Sequence, residues 1–346
     1  MTRPLAFAIP GDIATLTGGF VYERRLLQGL RQAGHDVRHL ELPAGFPDPS
    51  PAETAAAVAA LADVPPDRPL ILDGLVFGSI DTDRLAQVRA PVVAMIHHPL
   101  ALETGLSPAR RDHLFRTERD NLRLARHVLV PSPHTRRILT DRYDVPSEAI
   151  TVLRPGVDRP ALPPAPVAPP LILSVGILHP RKGHDILIGA LSRLEDLAWQ
   201  AVIVGNPWDR DHATLLERQR AVSPVARRIR LAGRVPADEL ERLYSRASVF
   251  ALATWYEGHG IVFDEALVRG LPIVSCDAGA VPDTVPQGAG LLVPPGDAVA
   301  FADALRLLLE APDRRRAMAD AALAAGAELP GWQQMADRAS RVLSAV

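Results

Sequence analysis

Short apolar runs alternate along the chain with stretches whose apolar positions recur at helical spacing. LAFAIP is an apolar run closed by Pro10-Gly11, and Tyr22, Leu26, Leu27 and Leu30 then recur at intervals of one helical turn before Gly34 stops the pattern. A strand, a loop and an amphipathic helix are predicted there. His35–Leu42 predicts a second strand and Glu53–Ala62 an alanine-rich helix. PLILDGLVF, APVVAMIHHP, HVLVPS and AITVLRPGVD predict four further strands, with Ser132 capping the helix after the third of them. Strands alternating with helices define an α/β chain whose sheet is parallel and covered on both faces.

The plan then repeats. Arg159–Pro170, RPALPPAPVAPP, is too proline-rich for a helix interior or a central strand and predicts a semi-rigid linker able to act as a hinge strut. LILSVG starts a second series, followed by the loop Gly176–Gly183, the strands WQAVIVGN and RIRLAG, and a helix with Leu240, Leu243, Tyr244 and Ala247 on one face. Ala247–Cys276 reads as strand, glycine-rich loop, helix and strand, and GAGLLVPPGD as the last strand. Two helices follow, then a terminal helix within Gly331–Val346. The predicted domains are 1–158 and 171–330, joined by 159–170 and followed by 331–346.

Composition narrows the class. The 346 residues suffice for two domains with their own cores, and 47% hydrophobic against 23% charged residues is the balance of a globular protein. A net charge of −2 gives no pull towards nucleic acid. The one cysteine, Cys276, excludes an internal disulfide framework and reads as a packed small hydrophobe. The first apolar run is too short for a secretory signal, and no stretch nears the roughly 20 apolar residues that cross a bilayer. A cytoplasmic location is expected. Arg110–Arg142 carries nine arginines against four acids, mostly a solvated helix face, which leaves peripheral membrane contact open.

One count bears on chemistry. Of the 38 basic residues a single one is lysine, Lys182, directly before Gly183 and on the loop that follows the first strand of the second half. A compact ammonium there can meet a phosphate, with Arg181 beside it as a planar fork. Glu257 and Glu265 lie eight positions apart, the first just before a helix that starts near Gly260, the second on about its second turn. Between them the Gly258-His259-Gly260 backbone can offer amides to an anion. Gly18-Gly19, opening the first helix, can approach a phosphate closely but does not make the G-x-G-x-x-G dinucleotide fingerprint. Asp81-Thr82-Asp83 and Asp209-Arg210-Asp211 read as helix caps rather than metal ligands. His97 falls at the C-terminal tip of a predicted strand, where open α/β sheets bind ligands, with His98 next to it.

EGHGIVFDEALVRGLPIVSC resembles the E-x7-E signature of the retaining GT-B glycosyltransferases, family 4. The resemblance spans nearly the whole chain, tight around 247–296 and loose before 90. It implies a GT-B fold: two Rossmann-like domains with parallel sheets facing a central cleft, the terminal helix packing back on the first domain. It further implies a metal-independent transfer from a UDP-sugar or GDP-sugar to an acceptor hydroxyl, with no other cofactor. In that scheme His97 and Glu257 are catalytic and hold the sugar. Gly18, Gly19, Arg181, Lys182, Gly258, His259 and Gly260 bind the diphosphate, Glu265 the ribose, and Arg234 and Val235 line the base pocket. Glu103 and His98 are the acceptor-side candidates. The chain departs from the family at Ile177, where an arginine is usual, at Arg154-Pro155, and at Asp283 in place of glutamate. A sugar-nucleotide epimerase or phosphorylase on the same fold, or an inactive binding subunit, are the alternatives.

Overall fold

The computed structural model describes residues 4–346, so the first three residues of the predicted 1–158 domain lie outside it. The chain forms two compact units, one running up to Gly156 and including Pro330–Val346, the other Val157–Leu329.

In the first unit the strands are β1 (Leu5–Pro10), β2 (Val37–Leu42), β3 (Leu70–Asp73), β4 (Val92–Met95), β5 (His127–Val130) and β6 (Ile150–Val152). All pair in parallel, in the order β2-β1-β3-β4-β5-β6. Every residue of β1, β3 and β4 is buried, as a sheet covered on both faces requires. The strand order reverses between β1 and β3, which makes their carboxyl ends the place for a ligand. The helix Gly18–Gln32 buries the predicted face, and the Tyr22 hydroxyl donates to Leu153 O at 2.7 Å. The terminal helix Trp332–Leu343 lies against it within the same unit. A Cβ on Gly29 would stand 2.4 Å from that of Ala336, and His35 Nε2 is 2.7 Å from Ser340 Oγ.

The alanine-rich helix begins two residues earlier than its pattern indicates, at Pro51, because Ser50 and Glu53 close a capping box: Ser50 N–H donates to Glu53 Oε2 at 2.8 Å and Glu53 N–H to Ser50 Oγ at 3.3 Å. Asp209 caps Arg210–Val222 by accepting from His212 N–H. Asp81 holds the equivalent place before Thr82–Leu85 but pairs with Arg84 instead of the backbone.

Glu118 is an exception to the apolar interior. It sits fully buried on the helix Pro108–Leu122 and accepts Leu100 N–H at 3.1 Å. Burial pushes its carboxyl up to about 8, against the hydrogen bonds from Leu100 and Tyr143. Between the unfolded value near 4.5 and about 8, the folded state binds a proton that the unfolded state lacks. Stability from this group is therefore complete at acid pH and declines as pH rises through that window, by up to a few kcal/mol at about 1.4 kcal/mol per unit. Glu118→Gln should raise the unfolding temperature at pH 8 by several degrees and barely change it at pH 4.5; equal shifts at both pH values would contradict the assignment.

The second unit holds β7 (Leu171–Val175), β8 (Gln200–Val204), β9 (Ile229–Gly233), β10 (Val249–Leu252), β11 (Ile273–Cys276) and β12 (Gly290–Val293). The order is β12-β11-β10-β7-β8-β9, again all parallel, with the reversal between β7 and β10. Cys276 is buried in this sheet, its thiol pushed up to about 12 by burial.

The proline-rich segment, expected as a strut between domains, is tied along the second unit. Arg159 donates to Gly326 O, Ala327 O and Leu329 O, Ala161 N–H to Glu241, Ala165 N–H to Ser245 O and Val167 N–H to Arg246 O. Its prolines set stiffness, and these bonds set its course. Among the described residues no helix is long and apolar enough to cross a membrane.

Candidate active site

At the reversal between β7 and β10 the loops that leave the two strands are fastened together. Arg181 O accepts Trp255 N–H at 2.8 Å, and the Arg181 guanidinium donates to Tyr256 O at 2.9 Å. Gly183 adopts φ 62° and touches β10's end so closely that a Cβ would lie 1.9 Å from Ala253 O. The stem of Lys182 lies over Gly176. Its ammonium is thereby delivered 2.5 Å from Glu257 Oε1.

Glu257 is buried, and its partners account for its charge. Burial alone would push the carboxyl up. The Lys182 and Arg181 charges, with bonds from Lys182 and the Thr254 hydroxyl at 3.0 Å, outweigh that and hold it below the usual range. Arg181 stands 3.8 Å from the other oxygen, Oε2. Gly279, at φ 57°, lets the β11 loop press on this turn, and Ala280 N–H donates to Glu257 O. Behind Lys182, His184 is fully buried, and its imidazole is driven down to about 3 by burial and by the charges of Lys182 and His212. It stays neutral, so it adds no repulsion to the Lys182 ammonium.

The helix after Glu257 runs from Ile261 to Leu267, with Gly260 at φ 87° as its N-cap and no side-chain cap. His259 turns inward to Asp264, Nε2 to Oδ2 at 2.5 Å with both side chains buried, so its ring supports the turn from within. Glu265 accepts the Tyr244 hydroxyl at 2.8 Å, and burial raises its carboxyl in spite of that bond and of Arg269. Arg269 stacks over the Tyr244 ring at 4.5 Å and pairs with Glu241. Lys182, Arg181, Glu257 and the Gly258–Gly260 turn are thus brought together. Arg234 and Val235 follow β9 at the sheet's edge, two strands from β7, with Arg234 exposed and Val235 packed on the core.

In the first unit, Gly18 and Gly19 open their helix behind an extended Thr17, and Gly19 lies against the His97 ring. His98 Nε2 and Glu103 Oε2 meet at 3.1 Å. The sequence reading missed two residues here. Glu23 and Asp73, both buried, join His97 in a group whose oxygen and nitrogen atoms lie within 4.8 Å of one another. Glu23 had a signal, since it falls in phase with Leu26 and Leu30 on the buried face; Asp73 ends an apolar strand.

Two all-parallel sheets, each with one reversal of strand order, and a buried cation–carboxylate pair at the second reversal define a two-unit α/β protein with a candidate ligand site there. Comparison with known families agrees. The model for "Glycosyl transferases group 1" matches residues 161–324 and that for "Glycosyltransferase Family 4" residues 75–159. The chain belongs to these glycosyltransferases. A D-inositol 3-phosphate glycosyltransferase of Nocardia farcinica is 32% identical over 212 residues, 57% of this chain and 46% of the relative. A GDP-mannose-dependent alpha-(1-6)-phosphatidylinositol monomannoside mannosyltransferase of Mycolicibacterium smegmatis is 32% identical over 223 residues, 58% of this chain and 57% of that protein. The chain thus spans about half the length of the curated relatives it matches. Among solved structures, sucrose-phosphate synthase from Thermosynechococcus elongatus superposes with a TM-score of 0.84 at 22% identity over 98% of both chains. The fold is GT-B.

Proposed function

We propose that the chain transfers a hexosyl group from a UDP-sugar or GDP-sugar to an acceptor hydroxyl, with retention at the anomeric carbon and without a divalent ion. The observation that carries this reading is the seating of the only lysine against Glu257 at the β7/β10 reversal. The relative named for GDP-mannose and the one named for an inositol phosphate acceptor support the same class of reaction.

In this mechanism the bond from the anomeric carbon to the diphosphate oxygen breaks as the bond to the acceptor oxygen forms. The acceptor proton passes to the departing phosphate oxygen, so no separate general base is needed. Lys182 and Arg181 neutralise the charge that develops on the diphosphate, and the Gly258–Gly260 backbone donates to it. Gly18 and Gly19 are assigned to the diphosphate, Glu257 and His97 to the sugar, Glu265 to the ribose, and Arg234 and Val235 to the base. His98 and Glu103 are assigned to the acceptor, and the cytoplasm is the expected compartment.

The test is a calorimetric titration with UDP, GDP and their sugars, followed by nucleotide release with and without acceptor-containing cell extract, in EDTA. One nucleotide family should bind, and extract should accelerate its release. Binding to none of them would favour a non-catalytic subunit. Release that is abolished by EDTA would overturn the metal-free mechanism.

A further inference from the structure

Behind His97 stands a pair of buried carboxyls with no part in the mechanism above. Glu23 projects from the second turn of the helix Gly18–Gln32, and Asp73 from the end of β3, next to the strand that carries His97. Glu23 is 1% and Asp73 3% exposed, whereas the His97 side chain keeps 23%. Burial pushes the Glu23 carboxyl up to about 8 against its hydrogen bond with Asp73, and drives Asp73 upward as well, with the Glu23 charge adding to it. Two such groups in contact retain a proton between them near neutral pH. Tyr22 closes the group, edge-on to the imidazole with ring centres 5.1 Å apart.

The oxygen of Glu23 not engaged with Asp73 has a definite counterpart. Glu23 Oε1 and His97 Nε2 are both buried, neither has a hydrogen-bond partner, and they face each other across 3.5 Å. A buried polar atom left unpaired keeps its full desolvation cost. A proton on Nε2 directed at Oε1 satisfies both with a slight closing movement. The tautomer of a histidine is set by the bond one ring nitrogen makes.

We infer that Glu23, backed by Asp73, is a positioning residue that holds His97 as the Nε2–H tautomer and leaves the Nδ1 lone pair to accept a hydrogen bond from a hydroxyl of the transferred sugar. This rests on the assignment of His97 to the sugar made above. A divalent ion among the same three residues would demand the opposite arrangement, with Nε2 as a ligand and the proton on Nδ1.

Nitrogen-15 shifts of the His97 ring at pH 7, assigned with His97→Asn, read the tautomer without reference to turnover. Wild type should show a protonated Nε2. Glu23→Leu should move the ring to a mixture of tautomers and lower kcat about 10- to 100-fold with KM within about twofold, the size expected for a misaligned contact. Glu23→Gln, which keeps an oxygen acceptor, should recover most of the rate. If Glu23→Leu does not fold, Asp73→Asn should shift the tautomer in the same direction. A protonated Nδ1 in wild type, a tautomer indifferent to both variants, or a stoichiometric divalent ion lost in Glu23→Leu overturns the inference. Failure of every donor to react would instead defeat the proposed transfer and leave the tautomer result standing.

Discussion

Lys182→Met is expected to lower turnover of the donor by about 10²- to 10³-fold, the loss found when one preorganised donor to a developing anion is removed. The same change should weaken the fold, because Glu257 would remain a buried carboxylate with Arg181 at 3.8 Å as its nearest cation. Removing one partner of a buried pair is typically worth about 3–5 kcal/mol, and the remaining Arg181 should keep the loss near the lower end. The pH dependence has a fixed sign. Glu257 is held below the usual carboxylate range, so its contribution is present above about pH 4.5 and is lost as pH falls through its folded value. Lys182→Met should therefore destabilise strongly at pH 7 and progressively less as pH falls below about 4.5. The double variant with Glu257→Gln separates the two roles: it should regain most of the unfolding temperature and none of the activity. Recovery of both would reduce Lys182 to a structural ion pair. Lys182→Arg should fall between, since a planar fork cannot occupy the place of an ammonium stem lying over Gly176.

That this lysine could be found without coordinates is owed to its rarity, and the Glu257–Glu265 spacing was legible because helix geometry is local. The first-unit carboxyls show what was not. Glu23 and Asp73 are 50 positions apart and meet because β1 and β3 pair while β2 turns to the other side, a choice that apolar strands do not encode in any single position. The buried phase of Glu23 announced an unusual residue without saying what it faced. His259 is a second case: it was read for its amide, yet its ring reaches five residues on to Asp264, a contact made possible by Gly260 at φ 87°. The course of 159–170 was not legible for a similar reason. Proline content describes local stiffness, while the bonds of Arg159 to residues 326–329 depend on where the second unit's last long helix ends.

Gly183→Ala should be among the most damaging single methyls in the second unit. The residue is left-handed at φ 62°, a conformation that costs an L-residue about 1 kcal/mol or more, and the added carbon would sit 1.9 Å from the Ala253 carbonyl oxygen. Neither side can yield cheaply. Ala253 follows β10, which is paired to β7 through Val249–Ile172 and Phe250–Leu173, and Gly183 O accepts Leu187 N–H to start the next helix. Relief therefore requires the loops after β7 and β10 to separate, which breaks the Arg181–Trp255 and Arg181–Tyr256 bonds and withdraws Lys182 from Glu257. A loss of more than about 3 kcal/mol in urea unfolding is expected, accompanied by loss of nucleotide binding at temperatures where the variant remains folded. Gly18→Ala is the contrasting case, since nothing lies within 4 Å of its added carbon and stability should stay within about 0.5 kcal/mol of wild type. A Gly183→Ala protein as stable as wild type would mean that the two loops are not held in the contact on which the proposed diphosphate site rests.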